Sequence, residues 1–158
     1  MWQAAYPFFK WHNESWLGQA ISGSIVAFPI IETIHILAMA VMFGAMLALN
    51  IKLLGLGFKN QPISLLSKTL LKFLNGGLLV MLISGYMMFA SEANKDFSND
   101  GFKFKMGALA IALLFQIFWY RNLVKKDNQG VAVRGLSAAF CFFIWFCVGA
   151  GGRAIGFV

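Results

Sequence analysis

The sequence predicts an all-α membrane protein, an up-down-up-down bundle of four transmembrane helices with an interfacial helix at its N-terminus. The first observation is composition: 59% of the 158 residues are hydrophobic and 12% are charged, against about 45–50% and about 25% in soluble domains. The second is the presence of four apolar stretches near or above the roughly 20 residues that a spanning helix needs. The third is the shortness of the connectors, which makes successive spans antiparallel.

The predicted elements follow one another along a single membrane domain, residues 1–158. Residues 1–20, MWQAAYPFFKWHNESWLGQA, carry aromatic rings among polar residues and lack the features of a signal peptide, as is typical of a helix at headgroup depth. The stretches NGG near Gly76 and VGAGGRAIG near Gly151 follow no predicted strand, so they predict close helix contacts and not phosphate loops. Transmembrane helices are predicted at about 25–50, 66–90, 104–124 and 134–158.

The distribution of positive charges predicts the orientation of the bundle. The first and third connectors are basic, whereas the middle one, SEANKDFSNDGFKFK, has as many acids as lysines. By the positive-inside rule the basic connectors face the cytoplasm, and both termini lie outside. The net charge of +7 then reflects topology and contact with anionic lipid in the bilayer, and it implies no nucleic-acid partner. The basic residues are Lys52, Lys59, Lys68 and Lys72 in the first connector and Arg121, Lys125, Lys126 and Arg134 in the third.

Depth along the helices predicts an ion pair at the outer boundary. Glu32 precedes Lys52 by 20 residues, about 30 Å at a rise of about 1.5 Å per residue. Arg153 follows Arg134 by 19 residues in a helix of the opposite direction, so it reaches the level of Glu32. Three interpretations are open. The first is a salt bridge that locks the bundle, and the second is an Arg153 that holds an anionic group such as a haem propionate, with Glu32 behind it. Glu32 facing water is the third.

His35 is the one histidine inside a predicted span, one turn deeper than Glu32. Ionisable residues within a membrane mark functional sites, although a neutral histidine bonded to a hydroxyl or carbonyl is also common. We interpret His35 as an axial ligand of b-type haem near the outer face, with quinone as the alternative cofactor. His12 is the candidate second ligand if the interfacial helix folds over the bundle, and a methionine is the other. The candidate cofactor-binding residues are His35, Arg153, His12 and Glu32, and the candidate metal ligands are His35 and His12.

Four segments carry a resemblance: IETIHILAMAVMFGAMLALNIKLLGL, SGYMMFASEA, NDGFKFKMGALA and IWFCVGAGGRAIGFV. They resemble a family of small, four-span bacterial inner-membrane proteins of unknown function, which implies that location for this chain. The family pattern has an aspartate and an arginine where this chain has Asn50 and Lys52, so a proton-carrying role for Asn50 is not implied here. It also has a residue equivalent to Lys105 after a short Asn-x-x-Phe stretch, matched here by Asn99 to Phe102. More distantly, His35 followed nine residues later by Gly44 is similar to the first helix of copper-resistance D-type proteins and of four-span haem-binding protoporphyrinogen oxidases. That likeness implies haem binding.

The sequence leaves two functional hypotheses open. One is a cofactor-binding membrane protein that serves electron transfer through haem b or quinone. The other is an accessory subunit without chemistry of its own, packed in a larger membrane complex or in a homo-oligomer. No nucleophile and base are placed to share an accessible cleft, which argues against catalysis by the chain alone.

Overall fold

The computed structural model of the protein describes residues 5–58, 60–126 and 128–155. Expectations that fall on residues 1–4, Lys59, Asp127 and 156–158 lie outside the described residues. A π-helical turn, Phe115–Tyr120, joins the helices Asp100–Leu114 and Arg121–Leu123 into one continuous span. The helices are α1 (Tyr6–Glu14), α2 (Trp16–Ser22), α3 (Ala27–Leu53), α4 (Ile63–Ser98), α5 (Asp100–Leu114), α6 (Arg121–Leu123) and α7 (Val131–Ile155).

The all-α bundle predicted from the sequence is confirmed, and four of its helical segments are long and apolar enough to cross a membrane. The chain is a multi-pass membrane protein. Each span begins within four residues of its predicted start, but α4 runs eight residues beyond its predicted end. Its 36 residues extend about 54 Å, well beyond the roughly 30 Å of hydrocarbon. Non-helical dihedral angles at Glu92 (φ −121°, ψ 18°) interrupt α4 near the point where it leaves the apolar layer.

The four spans pack as two helix pairs. α3 lies along α4, and α5 lies along α7. The pairs join through Phe43 and Trp145, whose ring centroids are 6.2 Å apart, and through the hydroxyl of Tyr120, which donates to Asn50 Oδ1 at 2.7 Å. Large apolar side chains cover the outer surface of all four spans, as lipid contact requires. Examples are Ile36, Leu37, Leu79, Ile83, Ile111, Phe118, Phe143 and Phe146.

The predicted single interfacial helix over residues 1–20 is two short helices in the structure. The chain turns at Ser15, whose backbone is extended (φ −63°, ψ 153°). The Ser15 hydroxyl accepts from the Gly18 amide at 3.1 Å and so caps α2. Both helices lie on the C-terminal part of α4, where Asn13 Nδ2 donates to the Ser91 carbonyl at 3.1 Å. We call the end of the bundle that carries α1 and α2 the capped end. The opposite end, with the two basic connectors, is the basic end.

Gly77 is a point of close approach between α3 and α4. A Cβ atom at Gly77 would lie 2.9 Å from the Ala38 carbonyl oxygen and 3.0 Å from Met42 Cβ, whereas one at Gly76 would meet nothing within 4 Å. The close contact predicted for the NGG stretch therefore belongs to its second glycine.

We expect Gly77→Ala to destabilise the bundle by about 1–3 kcal/mol, because the added methyl group forces two backbones apart. Gly76→Ala is the matched control, and it should be neutral or stabilising by up to about 1 kcal/mol because alanine favours the helix. Equilibrium unfolding in mixed detergent and SDS micelles measures both. Equal stability of the two variants would contradict the packing described for Gly77.

Candidate functional site

A cavity of about 450 Å³ lies between the two helix pairs, in the half of the bundle nearer the capped end. The two helix pairs meet through Phe43 and Trp145, and the cavity lies between that contact and the capped end. Phe8 and Phe9 of α1 form part of its wall, so the N-terminal segment helps to enclose it. Apart from His35 and Lys105, the lining consists of aliphatic and aromatic residues, two methionines and one glycine. A space of this size, mostly apolar with a few polar groups, is typical of a small-molecule site.

His35 is held in one orientation by α4. Its Nδ1 atom lies 2.8 Å from Ser84 Oγ, and Ser84 Oγ lies 2.7 Å from the Val80 carbonyl oxygen. Ser84 Oγ is placed to donate to the Val80 carbonyl and to accept from His35 Nδ1–H. In that arrangement the neutral ring carries its proton on Nδ1 and a lone pair on Nε2.

Gly85 provides the space for the His35 ring. A Cβ atom at Gly85 would lie 3.3 Å from the Cε1 atom of His35 and 3.8 Å from its Nδ1 atom. Ser84 and Gly85 therefore act together: the serine bonds the ring and the glycine lets it approach α4 closely. Gly44, in contrast, is exposed with no atom near its Cβ position, and it takes no part in the site.

Lys105 is the cavity residue that sequence reasoning missed. It lies in the second turn of α5, and its side chain extends along α7, with Nζ 3.5 Å from the position of a Cβ at Gly152. In the part of the chain that the structure describes, no carboxylate lies within 4 Å of its ammonium group. Lys105 falls where the predicted third span, 104–124, overlaps the polar connector SEANKDFSNDGFKFK, so the sequence does not show on which side of that boundary it acts.

Glu32 and Arg153 do not form the predicted ion pair. Both side chains are exposed, and neither lines the cavity. Glu32 takes part in none of the acid–base contacts within 4 Å among the described residues. The two helices that carry these residues belong to different pairs, so equal depth does not bring the residues together.

His12 does not face His35 across the cavity. It is buried at the capped end, where its Nδ1 atom lies 2.9 Å from the Phe8 carbonyl oxygen. Its ring packs beside Tyr86 and Phe89, at centroid distances of 5.8 and 5.5 Å. Those two residues line the cavity and His12 does not, so His12 lies behind the wall. The interfacial segment folds over the bundle as expected, but it presents phenylalanine to the cavity.

These observations define a class: a four-span membrane protein with a mostly apolar cavity between its helix pairs, lined by one histidine and one lysine. The chain belongs to a family of unknown function, DUF6644, whose model matches residues 8–158. This agrees with the resemblance drawn from the four segments. No match was found among curated proteins or among solved structures.

Proposed function

We propose that the protein binds b-type haem in this cavity, with His35 as axial ligand, and serves electron transfer in the membrane. The observation that supports this most is the contact of 2.8 Å between His35 Nδ1 and Ser84 Oγ. A histidine that ligates iron is neutral, and its other ring nitrogen commonly donates a hydrogen bond that fixes the ring. Ser84 is placed to accept such a bond from Nδ1–H, which would leave the lone pair of Nε2 for the iron.

The other residues of the cavity fit a porphyrin. The flat aromatic rings of Phe89 and Phe102 stack at an interplanar angle of 14° in the wall. Met81 and Met106 also line the space, and a thioether is a common second axial ligand. Haem, when bound, supplies the one-electron chemistry. The chain supplies the iron ligand, an apolar enclosure and limited access for water.

Quinone is the alternative ligand, and a proton on His35 Nδ1 argues against it in the oxidised form. Quinone carbonyl oxygens accept hydrogen bonds, whereas Nε2 of this tautomer also accepts. Lys105 alone would then donate to the ligand. A metal ion is the better partner for Nε2.

The optical spectrum of the protein purified in mild detergent, oxidised and then reduced, tests this proposal. A Soret band and a reduced α band are expected. Organic extracts of the same sample are analysed for quinone. A featureless spectrum with no quinone would remove the proposal and favour the accessory-subunit hypothesis, in which a larger membrane complex holds the chain.

The proposed location is the bacterial inner membrane, with both termini and the cavity on the outer side. The positive-inside rule supports it, because the two basic connectors share one end of the bundle. We expect a membrane-impermeant maleimide to label Asn94→Cys in intact spheroplasts and to label Asn128→Cys after lysis alone. Both positions are exposed, at the capped and basic ends respectively. The reverse pattern would invert the topology.

A further inference from the structure

Lys105 is a cation inside a membrane span at an apolar cavity. Its carbon chain lies between α5 and α7, where a Cβ atom at Gly152 would be 3.5–3.8 Å from its Nζ, Cε and Cδ atoms. At Gly151 a Cβ would lie 3.0 Å from the Lys105 Cβ, so the two helices touch at the base of this side chain. The ammonium group is thus carried on a stem held by packing.

The described part of the chain offers this ammonium group no direct partner. It makes no ion pair and donates no hydrogen bond there, and Asp96 attracts it from beyond 4 Å. A charge in an apolar setting is costly unless it is paired, and intramembrane charges therefore lie beside ligands or counter-charges. An anionic group on the ligand would supply the missing partner.

The positions of Lys105 and His35 define the orientation of such a ligand. Lys105 lies five residues after the start of α5 and His35 lies eight residues after the start of α3. These separations correspond to about 8 Å and about 12 Å of helix measured from the capped end. Leu109, Trp145 and Val148 form deeper apolar wall. The acidic group of a ligand would therefore lie near the capped end. Its apolar body would lie beside His35 and farther from the capped end.

We propose that Lys105 binds the carboxylate of the cavity ligand, so that the site selects apolar molecules that carry an acid over their neutral analogues. The inference rests on the proposed function for the use of the cavity. It assigns to Lys105 the anionic contact that the sequence had suggested for Arg153.

The test compares acids with their esters. Protein from haem-limited cells, in nanodiscs, is titrated with haemin and haemin dimethyl ester, and separately with cis-parinaric acid and its methyl ester. Absorbance reports the first pair, and energy transfer from tryptophan reports the second, since Trp145 lines the cavity. The parent should bind each acid about tenfold or more tightly than its ester, as expected for one charge-assisted hydrogen bond.

Variants separate the role of the charge from folding. Lys105→Gln should lose the preference for the acid and keep its affinity for the ester, which also shows that the cavity is intact. Lys105→Arg should retain the preference. Lys103→Gln is the control, because Lys103 is two residues earlier on α5 and pairs with Asp100. Asp96→Asn should leave the preference for the acid in place.

The outcomes distinguish the two proposals. Selective, Lys105-dependent binding of parinaric acid without haem binding would support the carboxylate site and overturn the haem proposal. Equal binding of haemin and its dimethyl ester, dependent on His35, would overturn the carboxylate site and leave the haem proposal standing. Equal binding of acid and ester in both pairs would overturn the carboxylate site whatever the optical spectrum shows.

Discussion

Replacing His35 with alanine is expected to abolish the Soret and α bands of the purified protein. The substitution removes the imidazole that lines the cavity beside Ser84 and Gly85. With no second histidine in the cavity wall, the haem would have no imidazole ligand. The measurement is the haem content per protein, by pyridine haemochrome assay, in preparations of matched monodispersity. Added imidazole should partly restore the spectrum, because it can occupy the vacated position beside Gly85.

Two further variants define what the His35 result means. Glu32 is exposed on the same helix, one turn from His35, so Glu32→Gln should keep the parent spectrum. Ser84→Ala removes the acceptor for Nδ1–H, and partners of this kind typically contribute about 10- to 100-fold to metal affinity. Its haem content should therefore lie between those of the parent and of His35→Ala. An unchanged spectrum in His35→Ala would show that the iron, if present, is held elsewhere.

Placing a large side chain at Gly18 is expected to detach the N-terminal helices from the bundle. A Cβ atom at Gly18 would lie 2.6 Å from the carbonyl oxygens of Ala90 and His12. Both are backbone atoms that cannot rotate away, so Gly18→Leu must move α2 off α4. The cost should reach or exceed about 3 kcal/mol, the upper part of the range for overpacking. Because Phe8 and Phe9 line the cavity, its enclosure should be lost as well.

Trypsin cleavage after Lys10 measures this detachment. Lys10 is the one tryptic site before Lys52, and cleavage needs α1 to open. If cleavage follows the population of the open form, a loss of about 3 kcal/mol or more corresponds to a rate increase of roughly 150-fold or more. Ala20→Leu is the matched control, because it adds the same side chain on an exposed position of α2. Equal cleavage rates in the two variants would contradict the docking of α2 at Gly18.

The spans were predictable because the membrane imposes a local requirement. A segment in hydrocarbon must satisfy its own backbone groups and present apolar side chains over about 20 residues, and both conditions can be seen in the sequence. The position of His35 along the first apolar segment also placed it correctly within the first span. The break at Ser15 also has a local signal, a serine positioned to cap the helix that begins at Trp16.

The sequence alone indicates which segments span the membrane and roughly how deep each residue lies. The side of each helix that faces a neighbour depends on how the helices pack. Lipid and helix interface are both apolar, so a spanning helix carries little amphipathic pattern to mark its inner face. Glu32 and Arg153 therefore matched in depth but not in direction. Lys105 became a cavity residue, and His12 lies behind Tyr86 and Phe89, because helix pairing fixed the directions of their side chains.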